Sequence, residues 1–249
     1  MRAMLLEDDV VLLAGGTGRV GGPSLRAFLR EGASVALLSR TPQAAQETIA
    51  THADGAAGRV EVVVADLLAP EDGARAVRET VSRFGRLDGV ANLSGRGSFV
   101  AVADSTLDDF MTNLSGFAVT NYNLMLPALR HMLAQDQRPG ARSRGRLVVV
   151  TAGSSRTPQP RFGLMGAAKA AVNTFMLAIA REHKADGIVS NALVLGAVAT
   201  EAAKDYLDAQ SFAAASTPEE LAETLAFLVS DRSSGINGVL LDHNAREVD

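Results

Sequence analysis

The chain lacks cysteine, tryptophan and any dense group of histidines. With no cysteine among its 249 residues, it cannot form disulfide bonds, thiolate metal sites or a cysteine nucleophile. The histidines are scattered along the chain without the spacing of metal ligands, so no metal site is expected. They are His52, His131, His183 and His243. Only two tyrosines are present, which leaves few phenols for acid catalysis.

The chain also lacks an excess of positive charge and long apolar runs. Its formal net charge is -4, so a nucleic-acid-binding surface is not expected. No uninterrupted apolar run reaches the roughly 18 residues that a membrane span needs. The first residues include acids where a secretion signal would need an apolar core. These absences together predict a cytoplasmic protein without a membrane partner.

What is present is a repeated pattern in which a short apolar run, a turn and an amphipathic stretch follow one another. Predicted strands cover Val10–Ala14, Val35–Ser39, Val60–Ala65, Leu87–Leu93, Arg146–Thr151, Ile188–Leu195 and Gly238–Leu241. Predicted helices cover Val20–Arg30, Pro42–His52, Pro70–Phe84, Leu107–Ala134, Phe162–Lys184 and Pro218–Ser230. Strands that are apolar throughout are buried on both faces, and intervening helices make the sheet parallel. The pattern predicts one α/β domain over residues 1–249, doubly wound around about seven strands.

A glycine-rich turn joins the first strand to the first helix and predicts a dinucleotide site. Gly16, Gly18 and Gly21 have G-x-G-x-x-G spacing. We assign the tight turn to Gly16, close approach of a pyrophosphate to Gly18, and helix–strand packing to Gly21. The phosphates would then lie at a helix N-terminus. The expected contacts in this turn are Gly15, Gly16, Thr17, Gly18, Arg19, Val20 and Gly21.

The end of the second strand favours NADP(H) over NAD(H). An NAD site usually places a carboxylate there to bind the ribose, but this chain has Ser39, Arg40 and Thr41. Arg40 can pair with a 2′-phosphate, and Arg19 in the glycine turn can approach the same group. The cofactor expected is therefore NADP(H), in a Rossmann-type fold.

These landmarks and several further motifs resemble the short-chain dehydrogenase/reductase family over about Val10 to Asp242. The resemblance implies that Asp66, followed by Leu67, holds the adenine edge, and that Asn113 belongs to a proton relay. Asn92-Leu93-Ser94-Gly95 stands where the family has Asn-Asn-Ala-Gly. The segment from Leu195 to Thr200 resembles the family's Pro-Gly-Pro-Val-x-Thr, so Gly196, Val198 and Thr200 are expected beside the nicotinamide.

The chain departs from the family at the residues that deliver the proton. The family's Tyr-x-x-x-Lys falls on Met165 to Lys169, so the lysine is kept and the tyrosine is methionine. The serine that precedes it falls on Ala152. Enoyl-reductase relatives place a tyrosine seven residues before the lysine, and that position is Phe162. Methionine has no proton to give, and losing positioned acid catalysis costs about 10²–10⁴-fold in rate.

Several other side chains are candidates to replace the missing tyrosine and serine. Asn113 and Lys169 remain as half of the relay, and the resemblance implies that Lys169 also binds the nicotinamide ribose. Ser154 and Ser155 can reach a substrate oxygen, although such a pair usually forms only a turn. Tyr206 lies in a lid-like substrate segment near residues 200–216 and is a further candidate acid. Tyr122 is expected in the core or at a subunit interface. Five methionines at helical spacing are expected to be mostly core residues: Met111, Met125, Met132, Met165 and Met176.

Three functions remain open from the sequence. The first is an NADP(H)-dependent oxidoreductase with altered proton delivery, acting on a carbonyl or an activated double bond. The second is a non-catalytic NADP(H)-binding redox sensor or the inactive partner of a reductase. The third is lyase or isomerase chemistry on the same scaffold. The small-molecule substrate is not readable from the loop Gly95 to Asp104 or from the lid. The apolar long helices predict a homodimer or homotetramer.

Overall fold

The computed structural model describes residues 4–205 and 207–243, and in them seven parallel strands form one sheet. The strands are β1 Val10–Ala14, β2 Ser34–Ser39, β3 Val60–Val64, β4 Gly89–Asn92, β5 Gly145–Ala152, β6 Ile188–Leu195 and β7 Leu240–His243. The helices are α1 Gly21–Arg30, α2 Pro42–His52, α3 Pro70–Phe84, α4 Leu107–Asn113, α5 Thr120–Ala134, α6 Gly163–Glu182, α7 Ala209–Ala214 and α8 Pro218–Leu228. The predicted α/β class and doubly wound parallel sheet are confirmed.

The strand order is β3-β2-β1-β4-β5-β6-β7, so the direction of winding reverses between β1 and β4. In open parallel sheets, ligands bind in the crevice that such a reversal leaves outside the carboxyl ends of the strands. The strand order alone therefore predicts a ligand site at the carboxyl ends of β1 and β4.

Two apolar layers cover the two faces of the sheet, because neighbouring strand residues point to opposite sides. Leu12 of β1 packs with Leu124, Met125 and Met176 on the face that α3, α5 and α6 cover. Leu13 packs on the other face, which α1 and α8 cover. Each layer buries large side chains completely, and these layers hold the strand ends in fixed positions.

Two burial predictions are wrong. Strand β3 is an edge strand, and Val64 is 39% exposed, because no eighth strand covers its outer side among the described residues. Met111 is 49% exposed, since it lies on the outer side of α4 and not under it. The other four methionines of the predicted core are buried: Met125, Met132, Met165 and Met176.

The predicted long helix from Leu107 to Ala134 is helical throughout, but residues Leu114–Val119 form a π-helical turn between α4 and α5. A Cβ atom at Gly116 would overlap the carbonyl oxygen of Arg96, so the loop after β4 packs directly on this turn. The Thr120 hydroxyl donates to the Gly116 carbonyl at 3.0 Å. Such π-turns occur often at functional sites.

The last third of the chain differs from its prediction in detail. The last strand is Leu240–His243 and begins after Gly238, whose φ of 71° makes the turn into it. The lid-like segment contains a 3₁₀ turn at Glu201–Asp205 and helix α7, while Tyr206 lies outside the described residues. Helix α6 is long and apolar enough to cross a membrane by length and composition alone, but half of that stretch is buried inside the protein.

Candidate cofactor-binding site

A cleft of about 280 Å³ opens at the carboxyl ends of the first four strands. Its walls come from the turn after β1, the ends of β2 and β3, the loop after β4 and the π-helical turn. Predicted contacts that line it are Gly15, Thr17, Gly18, Ser39, Arg40, Asp66, Leu67, Ser94 and Gly95. Lining residues that the sequence reasoning missed are Leu38, Ala65, Leu68, Leu93, Arg96, Gly116 and Thr120.

The glycine turn has the expected place, but its tight turn belongs to Gly15. Gly15 has a φ of 74°, which favours glycine, whereas no such angle occurs at Gly16. Gly16 is instead a packing position, because a Cβ atom there would overlap the Leu37 side chain. At Gly21 a Cβ atom would overlap the Gly15 carbonyl oxygen, so the first turn of α1 packs directly on the loop. The assignment of the tight turn to Gly16 is wrong.

Helix α1 begins at Gly21, one residue later than predicted, and no side chain caps its start. Val20 precedes it in α-helical conformation, and the first turn carries no acidic residue. Gly22 N and Ser24 N already donate to Gly18 O and Val20 O, so it is mainly the helix dipole at this terminus that favours an anion. Because Thr17 and Gly18 line the cleft just before this terminus, the turn suits a phosphate group.

The turn from β2 to α2 holds Arg40 at the cleft. The Ser39 hydroxyl donates to the Thr41 carbonyl at 2.8 Å, and the Thr41 side chain accepts from Ala44 N at the start of α2. Arg40 lies between these two anchored residues and is exposed. Arg19 is exposed on the neighbouring turn, and within the described ranges neither arginine has an ion-pair partner. Both guanidinium groups are therefore available to an anion.

Asp66 offers a carboxylate at the end of β3. Its Oδ1 accepts from Leu68 N at 3.0 Å, and its own N–H donates to Asp72 Oδ2 at 2.7 Å. Asp72 is itself bound by Arg75, and the hydrogen bond from that guanidinium lowers the pKa of Asp72 below its usual value. This exposed cluster fixes the loop while the Asp66 carboxylate faces the cleft, where it can accept from an amino group.

Asn92 shapes the loop after β4 from inside the protein. Its side chain is 1% exposed; Oδ1 accepts from Ser94 N at 3.0 Å, and Nδ2 donates to Asn121 Oδ1 at 3.0 Å. Asn92 therefore positions Ser94 and Gly95, which line the cleft, and is itself closed to a ligand.

Lys169 lies on α6 without a polar partner. Its Nζ is 5.1 Å from the centre of the Phe117 ring, and among the residues that the structure covers it has no hydrogen bond and no counter-ion. The Phe117 ring packs on Gly95, so the lysine lies beyond the β4 side of the cleft. The Lys169 side chain is half-buried, and the resulting loss of solvation lowers the pKa of its ammonium group to about 8. A buried ammonium without acceptors is suited to hydroxyl groups of a ligand.

The proposed proton-relay residues are closed or already occupied. Asn113 is 0% exposed; its Nδ2 donates to Asp109 O at 2.9 Å and to Ser98 Oγ at 3.1 Å, and its Oδ1 is buried without a partner. The Ser154 hydroxyl is also buried without a partner. Ser155 Oγ accepts from Asn173 Nδ2 at 2.8 Å. Asn113 and Lys169 are not hydrogen-bonded to each other.

The segment from Gly196 to Thr200, here called the strap, follows β6 and is held from two sides. Gly196 N donates to His243 O at 3.1 Å, and Val198 pairs with Ser216, which lies just before α8. Thr200 N donates to Val198 O at 2.9 Å. The strap is thus anchored at the carboxyl end of β6, next to β5 and β7.

The donors and spaces present fit a phosphorylated dinucleotide. Two unpaired arginines (Arg40 and Arg96), the turn that precedes α1 and the Asp66 carboxylate line one cleft, and the Lys169 ammonium, which has no polar partner among the described residues, lies beyond it. Among the described residues, no three acidic or histidine side chains lie together as a metal site. Of the missed lining residues, Arg96 had a signal in the sequence, since it is a basic residue in the loop that directly follows a strand. Gly116 and Thr120 had none, because the π-helical turn brings them to the cleft.

Comparison with known proteins finds relatives over nearly the whole chain. A family model described as enoyl-(acyl carrier protein) reductase matches residues 21–245. The A-factor type γ-butyrolactone 1′-reductase (1S-forming) of Streptomyces virginiae is 31% identical over 96% of this chain and 95% of its own length.

Two solved structures are similar over nearly the whole chain. A short-chain dehydrogenase from Mycobacterium smegmatis has a TM-score of 0.84 at 28% identity, covering 98% of this chain and 95% of its own. A short-chain dehydrogenase from Burkholderia cenocepacia J2315, solved in complex with NADP, has a TM-score of 0.82 at 25% identity, covering 97% and 98%. The chain is therefore a member of the short-chain dehydrogenase/reductase family of oxidoreductases.

Proposed function

We propose that this chain binds NADP(H) along the strand-end cleft and that its proton-delivery site has degenerated. The observation that carries the proposal is the free Arg40, which lines the cleft together with Thr17 and Gly18 of the turn before α1; the exposed Arg19 lies in that same turn. The NADP complex of the Burkholderia cenocepacia relative supports the choice of cofactor.

In this proposal, each part of the cleft binds one part of the cofactor. Asp66 and Leu67 hold the adenine edge, Arg40 pairs with the 2′-phosphate, and Gly18 lies against the pyrophosphate. Lys169 donates to the hydroxyls of the nicotinamide ribose, where its charge gains the acceptors that the protein does not provide. The strap from Gly196 to Thr200 borders the nicotinamide. When bound, NADPH supplies a hydride.

The first candidate activity is hydride transfer to a carbonyl or an activated double bond. Met165 and Lys169 are four residues apart on α6 and so lie on the same face of the helix. Met165 is 7% exposed and cannot donate a proton. Ala152 ends β5 and cannot hydrogen-bond a substrate oxygen. Catalysis would therefore depend on water, on a lid residue or on a substrate whose reduced form needs no immediate protonation.

The second candidate is NADP(H) binding without turnover, as a redox sensor or an inactive subunit. The specific observation in its favour is that Asn113 and Ser154 are shut off from the cleft and Ser155 is tied to Asn173. An oxidoreductase that relied on any of these hydroxyl or amide groups would have to rearrange them first.

One pair of experiments distinguishes the two candidates. Calorimetric titration with NADPH and NADH tests binding, and NADPH oxidation with a panel of ketones and enones tests turnover. Binding with turnover of any panel member supports the first candidate, and binding without turnover supports the second. If neither nucleotide binds at millimolar concentration, the proposed function is wrong.

We further propose that the protein is a homodimer or homotetramer in the cytoplasm. Apolar side chains on α4, the π-helical turn and α5 are exposed: Leu107 75%, Met111 49%, Val119 42% and Tyr122 51%. Tyr122 packs on Phe175 of α6 at 5.6 Å between ring centres, so the apolar surface continues onto that helix. A second copy of the chain is the expected partner, because such contiguous apolar patches are uncommon on monomers. Tyr122 is not in the core, and we propose that it lies in this interface.

A further inference from the structure

The cleft is lined by a further arginine, Arg96, which belongs neither to the glycine turn nor to the end of β2. It follows Gly95 in the loop after β4, and it lines the same cleft as Thr17 and Gly18. Its side chain is exposed, and nothing in residues 4–205 or 207–243 forms an ion pair or a side-chain hydrogen bond with it. The charge is therefore free to meet an anion in the cleft.

The main chain of Arg96 is held firmly in place. Arg96 N donates to Gly116 O at 3.4 Å, and a Cβ atom at Gly116 would overlap the Arg96 carbonyl oxygen. Gly95, with a φ of 157°, turns the loop onto the π-helical turn. Because the backbone is fixed, only the side-chain dihedrals must be ordered on binding, which lowers the entropic cost of a contact.

The sheet order places Arg96 and Arg40 on opposite sides of the phosphate turn. Strands β2, β1 and β4 are neighbours in that order; Arg40 follows β2, Gly18 follows β1 and Arg96 follows β4. Strands lie about 4.8 Å apart, so the ends of β2 and β4 are separated by roughly 10 Å. A 2′-phosphate at Arg40 would leave the pyrophosphate, over the start of α1, between the two arginines.

We propose that Arg96 binds the cofactor pyrophosphate from the β4 side of the cleft. This inference rests on the proposed NADP(H) binding and adds to it separate roles for Arg96 and Arg40. Arg96 contributes affinity to NADPH and NADH alike, because both carry the pyrophosphate. Arg40 distinguishes them, because only NADPH carries the 2′-phosphate. A guanidinium is suited to this contact, since it forms charge-assisted, often bidentate hydrogen bonds with phosphate oxygens.

The test is calorimetric titration of the wild type, Arg96→Gln and Arg40→Gln with NADPH, NADH and adenosine 2′-monophosphate. The third ligand has the 2′-phosphate without the pyrophosphate. Arg96→Gln should weaken both dinucleotides by a similar factor of about ten or more and leave the monophosphate unchanged. Arg40→Gln should weaken NADPH and the monophosphate and spare NADH.

Two controls keep the result interpretable. Arg78→Gln removes the same charge from an exposed position on α3, outside the cleft, and should change no affinity. Arg96→Lys retains the charge and should recover part of the loss, and it replaces Arg96→Gln if that variant unfolds at a lower temperature than wild type.

The proposal is overturned if the Arg96 variants bind both dinucleotides like wild type. It is also overturned if their loss is confined to NADPH and the monophosphate, which would assign Arg96 to the 2′-phosphate. A wild type that binds neither dinucleotide would instead overturn the proposed function itself, and this inference with it.

Discussion

Replacing Lys169 by methionine is expected to stabilise the free protein at neutral pH and to weaken its binding of NADPH. The Lys169 ammonium is half-buried, and among the described residues it has no polar partner, only the Phe117 ring 5.1 Å away. A buried charge without a partner destabilises the folded state. Methionine removes that charge while keeping most of the side-chain volume.

The magnitude follows from the pKa of Lys169, which burial lowers from 10.5 to about 8. At about 1.36 kcal/mol for each tenfold change in the ionisation constant, the upper limit of the stabilisation is about 3 kcal/mol. The side chain retains some contact with water, so we expect about 1–2 kcal/mol after solvent screening. Below pH 8 the lysine is charged in both states, and the full penalty applies.

The sign of the pH dependence is fixed by proton linkage. From about pH 8 to pH 10.5 the unfolded chain retains the Lys169 proton while the folded protein releases it. Folded stability of the wild type therefore rises with pH in this window through this group. The advantage of Lys169→Met should shrink over the same window and vanish above it.

Urea denaturation at pH 7, 8, 9 and 10 measures this difference. Lys184→Met is the matched control, because Lys184 is exposed just beyond the end of α6 and its replacement removes an equal charge. Equal stability of Lys169→Met and wild type at pH 7 would refute the reasoning, as would an advantage that stays constant up to pH 10.

Three further outcomes are expected. Arg40→Ala should reduce the preference for NADPH over NADH by about tenfold or more in calorimetric titration, since one charge-assisted contact is worth about 1.5–3 kcal/mol; an unchanged ratio would contradict this. Wild-type turnover of simple ketones should fall well below the usual ~1–10³ s⁻¹, and Met165→Tyr with Ala152→Ser should raise kcat with little change in NADPH affinity; an ordinary wild-type kcat would show that another acid operates. Tyr122→Asp should shift the protein to monomers in light scattering at micromolar concentration, and a wild type that is already monomeric would exclude the proposed interface.

Most of the fold could be predicted from local sequence patterns. β1, β6, α2 and α3 have the predicted bounds, because in each case an apolar run or an amphipathic stretch is bounded by clear turn residues. Pro42 and Pro70 mark the starts of two helices, as expected for proline in a first turn. Patterns of this kind depend on residues close in the chain, and they predict elements well.

Features that depend on distant contacts could not be predicted. The π-helical turn at Leu114–Val119 exists where the loop after β4 packs on Gly116, and no local pattern indicates that contact. A distant contact also explains why Gly15, and not Gly16, makes the tight turn. Gly16 faces Leu37 of the neighbouring strand, so its lack of a side chain serves packing, and the left-handed conformation falls to Gly15.

The candidate site was predictable where residue type alone decides its chemistry. Arg40 and Asp66 line the cleft because Arg40 directly follows β2 and Asp66 comes two residues after β3, and both strands end there. The state of Asn113 was not predictable, because it depends on Ser98 and on Gly97, where a Cβ atom would overlap the Asn113 side-chain oxygen. Identity at a motif position therefore indicates what a side chain can do, while its neighbours decide whether a ligand can reach it.

This difference between residue type and access for a ligand determines how the site could regain catalytic activity. The cations expected to bind cofactor, Arg19, Arg40 and Lys169, have no polar partners among the described residues, so a ligand can meet them without breaking protein contacts. Two positions that belong to the family's proton relay are enclosed: Asn113 is bound to Ser98, and Met165, which replaces the tyrosine, is buried. A tyrosine introduced at Met165 would supply the proton, but the enclosed Asn113 could not resupply it through the relay. Lys169, which has no polar partner among the described residues, would then be the nearest route for that proton. We infer that any restored activity would fall as pH rises through the pKa of this lysine in the cofactor complex, which the ribose acceptors would hold above the value of about 8 that burial gives it in the free protein.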